Sequence, residues 1–497
     1  MKVTIGERWE PTDQAIYMVH NFTDVRVDMD VYWGSDHWTS MNSSTKDRND
    51  SIPLLASDYK TGQFLLLNET AIREFHFIIA GNYPVEGQYQ ASRSIKFKGH
   101  RCRAEGCFEG DTVVIKDIDE PVRYWSDPLH WSEAKDVSIP IPVEGANVTI
   151  ETGWNMHLDL EEPPILYMLE INGRLTVPQD QDIHLQASII LIRGGELRIG
   201  TKDARYEQNA KITLLGRAQD PTIALEDSFE AGSKIIANIG VLTMYGKKRT
   251  FKMAKLAAPA ERGDLSITLD TTDITIDLVE GDRIALSATE FQYDKGEDVL
   301  VESYDSATGV VTLQTALMNY HWGAPESTAA DYNGVDMRGE VLSLTRNIQI
   351  WGEEVDGFGG QILTSDIMEF DGSFREGETH LDSVELQFMG QPDTEKAAIR
   401  FENALTHSHT IENCSIHNSK AFGLFGFRSM NLFIDNNVIW ASVQFAVRFD
   451  EVMAVTFNNN YVGQVIVRLT LEVKGMGGLD SHAGVAVCSM SFPSQCP

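Results

Sequence analysis

The decapeptide Leu191-Ile-Arg-Gly-Gly-Glu-Leu-Arg-Ile-Gly200 contains a pattern, Gly-x-Leu-x-aliphatic, that recurs along this chain. The pattern begins at Gly173, Gly195 and Gly240, so its steps are 22 and 45 residues, one period and then about two. A fixed period in the twenties is typical of stacked-coil architectures. We expect each repeated glycine at a corner that needs a positive φ angle. The leucine two residues later should point inward, because side chains alternate along a strand.

The C-terminal part of the chain repeats more regularly, with an offset of 23 residues. The first strand of this repeat occurs three times, as Ile411-Glu-Asn-Cys-Ser-Ile416, Ile434-Asp-Asn-Asn-Val-Ile439 and Phe457-Asn-Asn-Asn-Tyr-Val462. A second strand obeys the same offset, since the segment 422–426 matches the segment 445–449. Agreement of two strands at one offset indicates one coil per repeat.

In this register Asn413, Asn436 and Asn459 occupy equivalent positions on successive coils. Stacked asparagines can form a hydrogen-bonded ladder that satisfies polar groups at a tight corner. From Trp125 onward the strands are short and aliphatic, and no amphipathic helix of useful length intervenes. This texture argues against a doubly wound α/β fold. The sequence therefore predicts an all-β chain built on a right-handed parallel β-helix.

The chain divides into four predicted segments. Residues 1–115 alternate as short strands between polar turns and predict a β-sandwich-like module to which the sequence assigns no role. Residues 120–255 carry the first coils. Residues 256–345 break the coil pattern and predict an antiparallel β module that is inserted in the solenoid or packed on it. Residues 346–497 carry the remaining coils, among them the asparagine ladder.

The composition limits the classes of partner. The net charge is −32, from 41 basic and 73 acidic residues among 497, and the acids are spread along the chain. Nucleic acids and anionic membranes are disfavoured, because binding them depends on Lys and Arg. Divalent cations, calcium in particular, and neutral glycans remain compatible; no other cofactor is expected. No run of about 18 apolar residues predicts a membrane span, and the N-terminus shows no signal peptide.

Two features are typical of extracellular proteins. Six Asn-x-Ser/Thr sequons predict N-glycosylation, at Asn21, Asn42, Asn49, Asn68, Asn147 and Asn413. The five cysteines are sparse. Two sequence-adjacent pairs predict short-loop disulfides, Cys102 with Cys107 and Cys488 with Cys496, which leaves Cys414 alone. A zinc site is the less favoured reading of the pairs, because they lack Cys-x-x-Cys spacing and neighbouring histidines.

The residues from about 120 to 497 resemble a known family. The segments Trp125–Trp131, Ile141–Ile150, Ile171–Leu175 and Ile190–Gly200 resemble a G8 domain, which is named for recurrent glycines. Downstream, segments such as Val335–Ile350 and Val384–Gln391 resemble the region that follows the G8 domain in the fibrocystin family, whose members are large cell-surface, receptor-like membrane proteins. The resemblance extends more distantly to cell-surface hyaluronidase and to cell-migration-inducing hyaluronan-binding protein. It implies that residues 120–255 are a G8 domain and that the chain is an internal part of a longer cell-surface or extracellular protein.

The resemblance also separates two functions. Hyaluronan-degrading relatives carry a Pro-Ile-His-Phe-His-like strand where this chain reads Ala398-Ile-Arg-Phe-Glu402, so both histidines are replaced. This departure favours a fibrocystin-like binding and structural segment that presents an acidic face to glycan, matrix or protein partners. The alternative is a calcium-dependent, hyaluronidase-like β-helix enzyme.

The candidate site residues follow from that alternative. Paired acids can act as general acid and base on a glycosidic bond, and carboxylates can also hold calcium. The catalytic candidates are Glu402, Arg400, Asp382 and His409. The binding candidates are Asp435, Asp450 and Glu412. The plainer interpretation is that the acids are solvated surface residues. His407 and His409 should point the same way on a strand, but the sequence shows no third ligand, so it predicts no metal site.

Overall fold

A computed structural model describes residues 121–131, 141–226, 229–328, 334–369 and 373–466. In the rest of the chain it describes only strand backbone, at Lys2–Thr4, Ile16–Tyr17, Leu55–Ala56, Thr61–Gln63, Glu74–Asn82, Gln90–Lys98 and Ala483–Cys488. Residues 1–112 with 368–374 form one compact unit, and residues 113–367 with 375–497 form another. In the first unit, Glu74–Asn82 pairs antiparallel with Gln90–Lys98. The predicted sandwich of residues 1–115 otherwise lies outside the described residues.

The second unit is a parallel β-helix with three strand stacks, here called faces A, B and C, which the chain visits in that order within each rung. Face A contains Asn147–Ile150, Leu166–Ile171, 187–193, 235–239, Gln361–Thr364, Ile399–Glu402, Leu424–Phe427, Phe445–Asp450 and Ala483–Cys488. Face B contains Val122–Tyr124, Asn155–His157, Arg174–Val177, 196–199, 241–245, Glu378–Asp382, His409–Glu412, Met430–Asp435 and Met453–Asn458. Face C contains 183–187, Ala210–Leu214, Ile348–Gly352, Val384–Gln387, Ser415–His417, Val438–Trp440 and Tyr461–Gly463. The predicted β-helix is confirmed.

The core is the stack of inward side chains along each face. The predicted 23-residue register is confirmed, because Ile411 pairs with Ile434 and Ile434 with Phe457, while Leu424 pairs with Val447. Superposed aliphatic residues of successive rungs bury each other, and that burial is the main stabilising term of such a fold. Besides its strands, the described part of the chain has 3-10 turns at Pro128–Trp131, Tyr293–Lys295 and Glu326–Thr328, and no helix with the length and apolar character that crossing a membrane requires.

The repeated glycines act differently from the prediction. Gly173, Gly195 and Gly240 are absent from the residues with positive φ, so the expected left-handed corner is wrong. They stack instead between faces A and B, where the backbones of neighbouring rungs come very close. A Cβ on Gly195 would lie 2.3 Å from the carbonyl oxygen of Gly173, and a Cβ on Gly240 would lie 2.4 Å from that of Gly195. The pattern therefore marks a close backbone approach. The leucines that follow are buried as expected, at Leu175, Leu197 and Leu242.

The predicted asparagine ladder forms only between Asn413 and Asn436. Asn436 Nδ2 donates to Asn413 Oδ1 over 2.7 Å, whereas Asn459 donates to Asp435 rather than to Asn436. All three asparagines have positive φ, a conformation that asparagine tolerates.

A second, buried ladder lies next to it. Asn437 is fully buried, its Oδ1 accepts from the Cys414 amide over 2.8 Å, and its Nδ2 donates to the Ile411 carbonyl over 2.8 Å. Asn460 repeats this arrangement one rung later, with its Oδ1 accepting from the Asn437 amide and its Nδ2 donating to the Ile434 carbonyl. This inner ladder closes the turn between faces B and C from within.

The predicted antiparallel module is confirmed. It is a six-stranded sheet in the order Met253–Lys255, Glu340–Ser343, Arg283–Leu286, Glu297–Asp305, Val310–Leu313 and Ser266–Thr268. The module leaves the β-helix after face-B strand 241–245 and returns at face-C strand Ile348–Gly352, so it is inserted within one rung. Its Ala285, Leu342 and Leu344 pack on Val438 and Trp440 of face C. Two more antiparallel strands, Ile223–Glu226 and Phe229–Gly232, form a hairpin between faces C and A, and short strands lie at Ile367–Met368 and Phe374–Arg375.

Candidate functional site

The predicted catalytic pair Arg400 and Glu402 lies on the outward side of face A. In strand Ile399–Glu402 the alternate residues Ile399 and Phe401 are fully buried in the core. Arg400 Nη1 lies 3.4 Å from Glu402 Oε2, and Arg400 Nη2 donates to the Ala231 carbonyl over 3.2 Å. Burial raises the pKa of Glu402, an effect that the neighbouring Arg400 opposes. The side chains that replace two histidines therefore form an ion pair.

Asp450 lies in the same outward column as Glu402, two rungs away, with Phe427 between them. At about 4.8 Å per rung the two carboxyl groups are roughly 10 Å apart. Asp450 Oδ2 lies 2.6 Å from Arg448 Nη2, so it also has an arginine partner. A two-carboxylate mechanism needs an acid and a base that flank one glycosidic bond across open space. An intervening phenylalanine and two arginine partners do not provide that space.

Three other candidate acids form a continuous row where face B ends. Asp382, Glu412 and Asp435 pair in register on three successive rungs, and we call this row the acidic edge. Asp382 forms an ion pair with Arg205, and Asp435 accepts from Asn459 Nδ2 over 3.0 Å. Burial raises the pKa of Glu412, and the charges of Asp382 and Asp435 raise it further. The acidic edge thus concentrates negative charge on a rigid support.

The three nearby histidines occupy three different environments. The expectation that His407 and His409 face the same way required both to lie in one strand, and the strand begins only at His409. His407 Nε2 lies 3.2 Å from Glu376, whereas His409 is fully buried with its ring 4.9 Å from that of Phe401. His417 Nε2 lies 3.2 Å from Glu385 on face C. No three His, Cys, Asp or Glu side chains converge as metal ligands within the described residues. A catalytic role for His409 does not fit its position in the core.

The predicted modification sites differ in their surroundings. Asn147 is exposed at the first face-A strand. Asn413 Nδ2, the atom that a glycan would occupy, donates to Asp382 Oδ1 over 2.9 Å. Asn21, Asn42, Asn49 and Asn68 lie outside the described residues. The geometry therefore favours Asn147 over Asn413 as a glycan acceptor.

The predicted disulfides also fall outside the described side chains. Cys102, Cys107 and Cys496 are not among the described residues, and only the backbone of Cys488 is described. Cys414 is a free, buried thiol that donates to the Glu412 carbonyl over 3.1 Å. Burial raises its pKa to about 12, which leaves it an unreactive thiol.

Sequence reasoning missed a groove at the corner between faces C and A. This corner groove has a volume of about 850 Å³, and its lining includes Gln391 of the Met389-Gly390-Gln391 segment. One signal was present in the sequence, since that segment belongs to the family resemblance. The sequence did not reveal that turns of different length stack around the corner groove.

Comparison with known proteins gives a family match and several similar proteins. Residues 130–257 match the G8 domain model. Mouse fibrocystin-L is 24% identical over a region that covers 88% of this chain and 11% of that protein. Mouse fibrocystin is 25% identical over 65% of this chain and 8% of its own length. The chain therefore spans about a tenth of the length of these relatives.

Among solved structures, the tailspike protein gp49 from Pseudomonas phage LKA1 aligns with a TM-score of 0.20 and 15% identity, over 61% of this chain and 42% of that one. The strand pairing described above, rather than this likeness, establishes the parallel β-helix. Residues 130–257 thus match the G8 domain, in a chain that resembles fibrocystin-L over most of its length.

Proposed function

We propose that this chain is a rigid binding and structural segment in the extracellular part of a fibrocystin-like cell-surface protein. Its acidic edge meets a cationic segment of a protein or matrix partner. The observation that carries this proposal is the register of Asp382, Glu412 and Asp435, which places one carboxylate on each of three successive rungs, with Asp382 also paired to Arg205. The similarity to fibrocystin-L over most of the chain supports the cell-surface setting.

The physical basis is the fixed spacing of the charges. Carboxylates held about 4.8 Å apart repel one another, and a positively charged partner relieves that repulsion when it binds. The backbone that supports them is ordered before binding, so the partner does not have to immobilise it. Glu412 lies in the middle of the row and has its pKa raised by both neighbours and by burial. It should contribute most to the contact.

A lysine-rich peptide is the appropriate probe for the acidic edge. Glu412→Gln should weaken binding of the immobilised peptide by about twofold to fivefold at low salt, the usual size of one exposed charge interaction. Glu302→Gln is the matched control, because Glu302 is an exposed acid of the inserted module and loses the same charge. Equal weakening in both variants, measured by biolayer interferometry, would show a response to net charge alone and would remove the acidic edge from the proposal.

The alternative, calcium-dependent depolymerisation of a polysaccharide, has less support. Glu402 is paired with Arg400, and His409 is in the core. Purified protein incubated with hyaluronan, with and without calcium, should leave the polymer size unchanged in size-exclusion chromatography. Calcium-dependent shortening that disappears in Glu402→Gln would establish the enzyme instead.

A further inference from the structure

We infer that the corner groove between faces C and A is a binding site for a neutral, linear oligosaccharide. This site is separate from the acidic edge, and it does not depend on what that edge binds.

The groove lies where the turns between faces C and A change in length along the β-helix axis. The turns at 353–360 and 388–398 are long, and we call them the walls of the groove. Those at 418–423 and 441–444 are short, and we call them its floor. Residues of all four turns line the groove. Its lining runs from Ala218 to Ile466. From the rung of Ala218 to that of Ile466 there are five steps of about 4.8 Å, so the lining extends roughly 24 Å along the axis. That shape suits an extended chain of several units rather than a compact ligand.

Its walls are fixed before any ligand binds. The buried Lys234 donates through Nζ to the carbonyls of Glu353 and Phe358, which holds the first wall against the β-helix. Gln391 is also buried, and its Nε2 donates to the Ser233 carbonyl over 2.8 Å. Within the second wall, Thr394 Oγ1 donates to the Gln391 carbonyl over 2.7 Å. A groove that is ordered in this way binds at a low entropic cost.

The lining has the mixed chemistry that a sugar requires. Two lysines, Lys396 and Lys420, line the groove with three acids, Glu230, Asp356 and Asp393, so its formal charge is −1. Phe358 adds an aromatic ring. Lys420 Nζ is already paired with Glu354 over 2.7 Å. Sugar hydroxyls both donate and accept hydrogen bonds, and the C–H faces of a pyranose ring pack on aromatic side chains. A polyanion would meet no net positive charge here and would be repelled by the acidic chain as a whole.

An extended peptide fits this groove less well. Peptides that bind a β-protein as an added strand need a free strand edge with unpaired backbone groups. In the floor of the groove, the Lys420 amide donates to the Met389 carbonyl and the Val443 amide donates to the Ala421 carbonyl. These two backbone donors are therefore already used between rungs.

The experiment titrates the folded chain with neutral hexasaccharides, cellohexaose, maltohexaose, mannohexaose and N-acetylchitohexaose, by calorimetry and saturation-transfer NMR. Glucose, hexagalacturonate and an uncharged Ser-Thr peptide of matched length are the comparison ligands. We expect at least one neutral hexamer to bind and its affinity to rise with chain length. Ala218→Trp fills the groove from an exposed position and should weaken that binding by at least about tenfold. Phe358→Ala should weaken it by a similar factor.

Phe433→Ala is the matched control, because Phe433 is an exposed aromatic residue on face B, away from the groove. Its binding should equal that of the unchanged chain, and circular dichroism should show all three variants folded. The inference is overturned if no neutral hexamer binds, or if only hexagalacturonate or the peptide binds. Equal loss in Phe433→Ala and Phe358→Ala would overturn it as well. None of these results bears on Glu412, so failure here is distinguishable from failure of the acidic edge.

Discussion

Replacing His409 by leucine should make the β-helix more stable and less sensitive to acid. His409 is fully buried, and neither of its ring nitrogens has a hydrogen-bond partner among the residues that the structure describes. Its ring is tilted by 47° against that of Phe401, and Leu432 occupies the equivalent position on the next rung. An apolar side chain of similar size already fits this column. At neutral pH, removing the unpaired polar atoms should raise the free energy of unfolding by about 1 to 3 kcal/mol.

The pH dependence follows from the pKa of the buried imidazole. Burial lowers the pKa of His409 from 6.5 to about 4, and the nearby His380 contributes to the same shift. Above 6.5 the ring is neutral in both states. As the pH falls from 6.5 towards 4, the unfolded chain takes up a proton that the folded chain refuses, so stability decreases. The complete loss attributable to this group is about 3 kcal/mol.

Guanidinium unfolding followed by circular dichroism, at several values between about pH 7 and about pH 4, measures this effect. His409→Leu should remove part of the acid-dependent loss, with its largest advantage at the lowest pH. His407→Gln is the comparison variant, because His407 lies two residues earlier in a partly exposed position. It leaves the buried imidazole of His409 in place, so the loss attributed to His409 should persist in it. If the leucine variant and the unchanged chain lose stability in parallel over this range, the assignment of the acid-sensitive group to His409 is wrong.

Three further predictions concern the rungs and the acidic edge. Asn437→Ala removes the side-chain partners of two backbone groups, so it should lower the free energy of unfolding by about 2 to 5 kcal/mol. Asn436→Gly, in the ladder with Asn413, should lower it by only about 1 kcal/mol. Hydrogen exchange of rung peptides measures both, and equal losses would contradict the prediction. Gly195→Ala places a Cβ against backbone and should lower the free energy of unfolding, measured by thermal unfolding, by about 3 kcal/mol or more. Gly145→Ala is the comparison, because its Cβ would enter open space at a φ of +75°, and it should lower that free energy by only about 1 kcal/mol. Glu412→Gln should stabilise the chain at neutral pH, because a raised carboxyl pKa means that ionisation opposes folding. The gain in stability should vanish once the pH falls below the ordinary glutamate pKa. A gain that persists at such a pH would argue against charge repulsion as its cause.

Much of the architecture could be predicted because a solenoid repeats its local contacts in sequence. The offset of 23 residues placed Ile411, Ile434 and Phe457 in one buried column, and the strands pair in that register. The interruption of the coil pattern after residue 255 indicated the inserted module. The glycine pattern marked the correct positions for the wrong reason, since Gly195 is needed for backbone approach rather than for positive φ.

The candidate site was less predictable, because its residues lie on different sides of the coil. Asp382, Glu412 and Asp435 share one column, but Glu402 and Asp450 lie on another face, and His409 is inside. Strand alternation gives the direction of a side chain only where the strand boundary is known. That boundary falls at His409, which separates it from His407.

The sequence by itself determined the rungs, their period and the columns of like residues, because each rung contacts mainly its neighbours at a nearly constant offset along the chain. Only the tertiary structure decided which polar groups meet across long separations, such as Lys234 with the carbonyl of Phe358 or Arg205 with Asp382. Those contacts depend on turn lengths and on the path of the inserted module. Turn lengths set the geometry of each corner without leaving any periodic signal, so the corner groove appears only when the turns are stacked in space.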